Sequence, residues 1–314
     1  MSRRLAAIPG VVLVAVAAAL WGTDPIIRKG MGQTTSATTI VFGEHVILVL
    51  CTLPFLLPAL RSVVRAGRNY VAAAVVVGAG ASAVATILFT DALIRASYLI
   101  TPVVIQKIQP FIAIGAAALL LGERPRAGFV WFLLPALIGF WLVNQPHPLD
   151  PSAKGTVVII EATAAAVLWG LGTVLGRYLS RELEFQHILS LRFFFGLIAC
   201  AIALPIMGAS AYSNAHDSLL ILYLALVTGL LALSLYYYGL QTTPAVLSSL
   251  AELTYPAVIV IASIYGSDQH MRWSQWLGVA LILASVTLLP MRGRRVVAES
   301  PSGELVPAPA PAPG

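Results

Sequence analysis

Long apolar runs broken by short stretches of Gly, Pro and charge make up most of the chain. Ten runs are near the length of a bilayer crossing: about 8–27, 37–60, 70–89, 99–121, 129–143, 156–175, 188–207, 219–240, 246–265 and 273–289. A helix of about 20 residues rises through the ~30 Å hydrocarbon core. The fifth run is short for this, and Trp131 and Trp141 supply interfacial anchors for it. The fourth contains Lys107, yet its position matches the ninth run. This pattern predicts an all-α integral membrane protein with ten transmembrane helices.

The pattern also occurs twice. Trp21-Gly22 returns as Trp169-Gly170, 148 residues on, and Gln106–Pro110 returns as Glu252–Pro256, 146 on. Cys51 and Cys200, the two cysteines, lie 149 apart. Each copy holds five runs. Five is odd, so the second copy starts on the side where the first ended. The expectation is two inverted five-helix repeats, 1–147 and 152–290, followed by a cytoplasmic Pro/Ala-rich tail, 291–314. The Pro-Ala run at 307–313 favours an extended, unpacked chain there.

Composition agrees with a lipid environment. Hydrophobic residues make up 59% and charged residues 10%, with a mean hydropathy of +0.89. A soluble domain carries about a quarter charged residues. The net charge of +6 then reads as basic inside loops rather than a nucleic-acid surface. With the N-terminus inside, the inner segments hold 12 Lys and Arg. The outer loops hold five: Arg28, Lys29, Arg95, Lys154 and Arg272. The bias places both termini in the cytoplasm of a multi-pass protein of the cell inner membrane. Arg3-Arg4 before an apolar run resembles a secretory signal, but nine further runs favour an uncleaved first helix. The cysteines, with no CxxC, give neither a disulfide framework nor a zinc site, and no cofactor is expected.

Ala18-Ala19-Leu20-Trp21-Gly22 in the first run, Leu121-Gly122-Glu123-Arg124 after the fourth, and the duplicated ten-run layout carry a resemblance. Over residues 8–290 the chain resembles the EamA-like branch of the drug/metabolite transporter superfamily. The resemblance implies a ten-helix bundle with a central cavity lined mainly by helices 1, 3, 4, 6, 8 and 9. It also implies export of small metabolites or movement of organic solutes, often coupled to protons. One departure concerns an arginine that family members carry in helices 2 and 7. Arg192 fits the seventh, whereas Glu44 stands 148 residues before it in the second. The second repeat also has Gly266-Ser267-Asp268-Gln269 where the first has its Gly-Glu.

The informative chemistry is what is polar at membrane depth: Glu44, His45, Lys107, Glu161, Arg192 and Glu252. A charge at the bilayer centre costs roughly 2.5–3.5 kcal/mol on insertion scales, so such groups face a partner or a wet cavity. Lys107 and Glu252 fall on equivalent helices, each just before a proline. On the fourth helix Gln106 and Gln109 lie within about 60° of each other. On the ninth, Ser248, Ser249, Glu252 and Tyr255 form a stripe about 120° wide. These residues read either as solute contacts or, for Lys107 and Glu252, as a mutually neutralising pair. Glu252 is the leading proton carrier, with Glu161 and Glu44 next. Arg192 and Glu44 read as a clamp between helices 7 and 2. His45 reads as a proton carrier or, more commonly for a lone histidine, a hydrogen-bonding helix residue. Glu161 faces inward or snorkels to the interface.

Trp21, Trp169 and Tyr236–Tyr238, with Tyr237 at the centre, read as a solute lining or as interfacial anchors. Asp24, before Pro25, reads as a mouth or turn residue, and Asp91 as a loop charge with Arg95. Small residues at Gly78, Gly80, Gly172 and Gly176 read as helix-packing positions. No HExxH, paired-aspartate metal motif or GxSxG elbow occurs, so an intramembrane enzyme is disfavoured. The two readings left are a secondary transporter and a non-transporting membrane scaffold. The transporter reading brings a small-molecule solute, the lipid bilayer and protons as partners, and no nucleic acid.

Overall fold

The computed structural model describes residues 9–121, 130–144, 155–240, 251, 254–255, 258–259 and 272–298. Among these residues every regular element is a helix. They are α1 (Gly10–Met31), α2 (Ala37–Ala66), α3 (Arg68–Arg95), α4 in two pieces (Ile100–Gln106 and Gln109–Leu121), α5 (Val130–Asn144) and α6 (Thr156–Leu179). α7 (Phe185–Ile206) and α8 follow, the latter built from Ala215–Tyr223, Leu224–Leu231 and Ala232–Leu240. A last helix covers Trp273–Ala298, so it runs past Pro290, where the apolar pattern ends. Seven helices among the described residues are long and apolar enough to cross a membrane. Exposed Leu50, Leu53, Leu57, Leu119, Trp131 and Ile206 give the bundle a greasy exterior that only lipid solvates well.

The halves share an unusual local feature. α3 widens into a π-helix over Val76–Val84, and α8 does so over Leu224–Leu231, starting 148 residues later. The pairing of helices is reciprocal as well. α3 packs along α6, and the equivalent contact brings α8 against α1. α2 packs on α7, and α5 on Trp273–Ala298, each an element against its own counterpart. Such mutual pairings are those of a two-fold relation between repeats.

The duplicated Trp-Gly pair explains one of these contacts. A Cβ on Gly22 would lie 2.7 Å from Val258 Cβ and 3.0 Å from the Tyr255 carbonyl oxygen. A Cβ on Gly170 would lie 2.8 Å from Ile112 Cγ2 and 3.3 Å from the Ala113 nitrogen. Val258 is 146 residues after Ile112, so the two contacts are copies. Glycine here lets two helices approach backbone to backbone. Gly78 and Gly172 also sit in close helix contacts, whereas Gly176 faces open space.

α1 continues to Met31, one turn beyond the apolar run that predicts its end near residue 27. Arg28 and Lys29 therefore belong to a helix and not to an outer loop. Two basic residues in the last turn suit the negative end of the helix dipole, and Asp24 supports Arg28 at i,i+4. Asp24 is correspondingly a helix residue with 19% side-chain exposure, not a turn residue.

Candidate functional site

α4 breaks at Lys107 and Ile108, between its two pieces. Pro110 has no N–H to give the Gln106 carbonyl, and the amides of Lys107 and Ile108 bond three residues back, to Val104 and Ile105. A helix broken at membrane depth is tolerated where it is buried in protein or lines a cavity. The Lys107 ammonium sits 4.4 Å from the centroid of the buried Tyr255 ring, a cation–π contact. Beside it, Gln106 Oε1 is buried without a hydrogen-bond partner among the described residues. Gln109 Nε2 donates to Thr173 Oγ1 at 3.3 Å, and Thr173 donates to the Trp169 carbonyl.

Aromatic rings border this region in both halves. Trp169 packs edge-on against Phe89 at 5.1 Å, and Trp21 lies 5.0 Å from Tyr236. Trp21 Nε1 donates to the Thr228 carbonyl at 2.9 Å, locking α1 to the π-helical part of α8. Trp21, Trp169 and Tyr255 join one core cluster with Phe89, Val103 and Ile282. The structure thus brings Lys107, Tyr255, Trp21 and Trp169 into one neighbourhood. Ser248, Ser249 and Glu252 lie outside the described residues, as does the side chain of Tyr237.

A second polar group is one the sequence reading missed. Arg28 Nε and Nη2 donate to the two oxygens of Asp24 at 2.6 and 3.0 Å, a forked pair. Arg28 Nη2 also lies 2.6 Å from Glu44 Oε1, and Nη1 donates to Thr90 on α3 at 3.1 Å. Thr228 on α8 donates to Asp24 Oδ2 at 3.2 Å. One guanidinium thus ties α1, α2 and α3 together, and Asp24 adds α8. The cation paired with Glu44 is Arg28 rather than the expected Arg192, which is half-buried on α7. The Asp-x-x-x-Arg spacing within a single helix carried the signal; treating Arg28 as a loop residue hid it.

The other charged residues divide plainly. His45 Nδ1 donates to the Val41 carbonyl at 2.8 Å, so Nε2 accepts from Ser82 Oγ at 3.0 Å, the ordinary role of a helix histidine. Glu161 sits near the start of α6, 3.6 Å from Arg95, which also bonds Asp91 at 2.8 Å. Asp91 pairs with Arg95 one turn on, both within α3 rather than in the expected loop. Asp217, near the start of α8, accepts from Thr34, Thr35 and Asn214, joining the α1–α2 turn to the second repeat.

Residues 8–145 and 156–291 each match the model of the EamA-like transporter family. This chain belongs to that family. It is therefore a multi-pass membrane transporter. Among its relatives, the riboflavin transporter ImpX of Fusobacterium nucleatum subsp. nucleatum is 25% identical over 265 residues, covering 81% of this chain and 88% of the relative. The uncharacterized inner membrane transporter YicL of Salmonella typhimurium is 25% identical over 301 residues, covering 91% and 96%. One crystal structure superposes with a TM-score of 0.60 at 17% identity, over 93% of this chain and 98% of its own. That likeness speaks to the EamA-like fold alone.

Proposed function

We propose that this EamA-like transporter is a ten-helix, inner-membrane carrier that exports a small organic metabolite by alternating access, with both termini in the cytoplasm. The observation that carries the reading is the break in α4, where Lys107 caps the Tyr255 ring beside the unsatisfied Gln106 Oε1. A buried acceptor without a donor is costly, about 1–3 kcal/mol, and a bound solute relieves that cost. The chemistry asks for a solute with an N–H or O–H donor for Gln106, an acceptor or anionic group for Lys107, and a flat face for Trp21 and Trp169. Ser248, Ser249, Gln109 and Glu252 complete the lining in this proposal. Two roughly symmetric halves, each with its own Trp-Gly contact, supply the two packings that alternating access needs.

Riboflavin is a planar, hydrogen-bonding solute of this kind and belongs in the first panel, alongside nucleosides, amino acids and organic cations. A solute that binds the native fold raises its melting temperature by mass action. Purified protein in lipid should respond to one class, and Lys107→Gln should lose that response while melting normally without solute. If no class stabilises the protein, and proteoliposomes transport none of the panel, the scaffold reading takes its place.

A further inference from the structure

We propose that the Asp24–Arg28–Glu44 triad is a proton-binding site and that Glu44 carries the proton. Two carboxylates share one guanidinium inside the bundle, with side-chain exposures of 19, 6 and 7% for Asp24, Arg28 and Glu44. The triad therefore holds one negative charge in excess. At membrane depth an unbalanced charge is costly, and one added cation removes it. Both oxygens of Asp24 are taken by Arg28, and the Thr228 hydroxyl shares its one proton between Asp24 Oδ2 at 3.2 Å and the Leu224 carbonyl at 2.8 Å. Glu44 differs. Its Oε1 is buried and lies 2.6 Å from Arg28 Nη2, but no aligned hydrogen bond reaches it among the described residues. A metal cation needs several oxygens, and the guanidinium already at Glu44 repels it. A proton needs one lone pair.

The surroundings leave the role to Glu44. Its neighbour His45 is engaged with Val41 and Ser82, and Lys29 on α1 turns away to the carbonyls of Leu93 and Ala96. Cys200 and Arg192 approach from α7, the former within electrostatic range of Glu44 and the latter of His45. Tyr223 of α8 meets Thr23 at 3.1 Å, and Tyr255 lies within range of Asp24 and Arg28. Among the described residues, the ion pair Glu44 makes is with Arg28.

The step is balanced. A hydronium ion gives its proton to a Glu44 carboxylate oxygen and leaves as water. Arg28 and Asp24 then form a neutral pair within α1, and the charged tie from α1 to α2 is released. The triad also touches the proposed solute site. Thr228 bonds Asp24 through its hydroxyl and Trp21 through its carbonyl, and Tyr255 lies under Lys107. Proton uptake at Glu44 thus loosens α1 beside the solute. Only this link to solute rests on the transport proposal; proton binding is measured without solute.

Infrared difference spectroscopy of the full chain in lipid, titrated from alkaline pH down to about pH 6 and so above the range where exposed carboxylates protonate, reads the carbonyl stretch of a newly protonated carboxyl. One such band is expected in the wild type, in Glu252→Gln and in Glu161→Gln, and its loss in Glu44→Gln. Asp24→Asn leaves one carboxylate for one guanidinium, so proton uptake should weaken about tenfold or more, roughly one pH unit. The proposal is overturned if the band survives Glu44→Gln, disappears with Glu252→Gln, or is absent from the wild type. It is also overturned if replacing potassium by sodium at fixed pH abolishes the band. If Glu44→Gln protein cannot be recovered, an unmoved band in Asp24→Asn overturns it equally. Failure here leaves solute-induced stabilisation untouched, so the two proposals fall separately.

Discussion

Arg28 on α1 places Nη2 2.6 Å from Glu44 Oε1 on α2, while its fork holds Asp24 one turn back along its own helix. The contact spans the first two helices of the first repeat, and Thr90 brings in the third. It is where the helices of that repeat are tied by charge rather than by packing.

Removing Arg28 strands the buried Glu44 carboxylate and the half-buried Asp24. Breaking a buried pair by deleting one partner typically costs about 3–5 kcal/mol. Arg28→Ala protein should melt well below wild type or fail to accumulate, whereas Glu44→Gln, which leaves Asp24 and Arg28 paired, should lose much less. Thermal melting of detergent-solubilised protein compares them. Equal stability of Arg28→Ala and wild type would show that the triad does not hold the repeat together.

The Trp-Gly contacts predict a graded series. Gly22→Ala and Gly170→Ala each push a methyl to 2.7–2.8 Å from a neighbouring side chain, and overpacking of this kind typically costs about 1–3 kcal/mol. Gly176→Ala meets nothing within 4 Å and should be neutral or gain about 0.5–1 kcal/mol from helix propensity. Melting curves that rank Gly176→Ala with the other two would contradict the packing role.

Asp217 binds the α1–α2 turn to the second repeat through Thr34 and Thr35, and its own amide is capped by Asn214 at 2.9 Å. Asp217→Ala removes hydrogen bonds to a charged acceptor, each contributing about 1.5–3 kcal/mol. Faster hydrogen exchange across residues 31–36 should accompany a lower melting temperature. Exchange confined to the start of α8 would mean that Asp217 acts only on its own helix.

Topology is open to a direct test. Single cysteines placed at Ser2 and Ser302, in a background without Cys51 and Cys200, should resist an impermeant thiol reagent in intact cells and react after permeabilisation. Labelling of either from outside reverses the assignment of the termini.

The sequence alone determined the lipid environment, the helical class and the duplication, because each rests on a property read along one dimension. Apolar runs of bilayer length leave a helix as the element that satisfies its own backbone, and Trp21-Gly22 with Trp169-Gly170 marks the repeat without any contact being known. Lys107 and Tyr255 both stood out in the sequence, since polar groups next to a proline in an apolar run are conspicuous. Their meeting at 4.4 Å depends on two elements far apart in the chain, which only the tertiary structure decided. The same holds for the partner of Glu44. An offset of 148 residues pointed to Arg192, whereas α1 continues one turn past its apolar run and delivers Arg28 instead. A cation at the end of a helix and one in a loop look identical to hydropathy. Which carboxylate it reaches is set by how the helices pack.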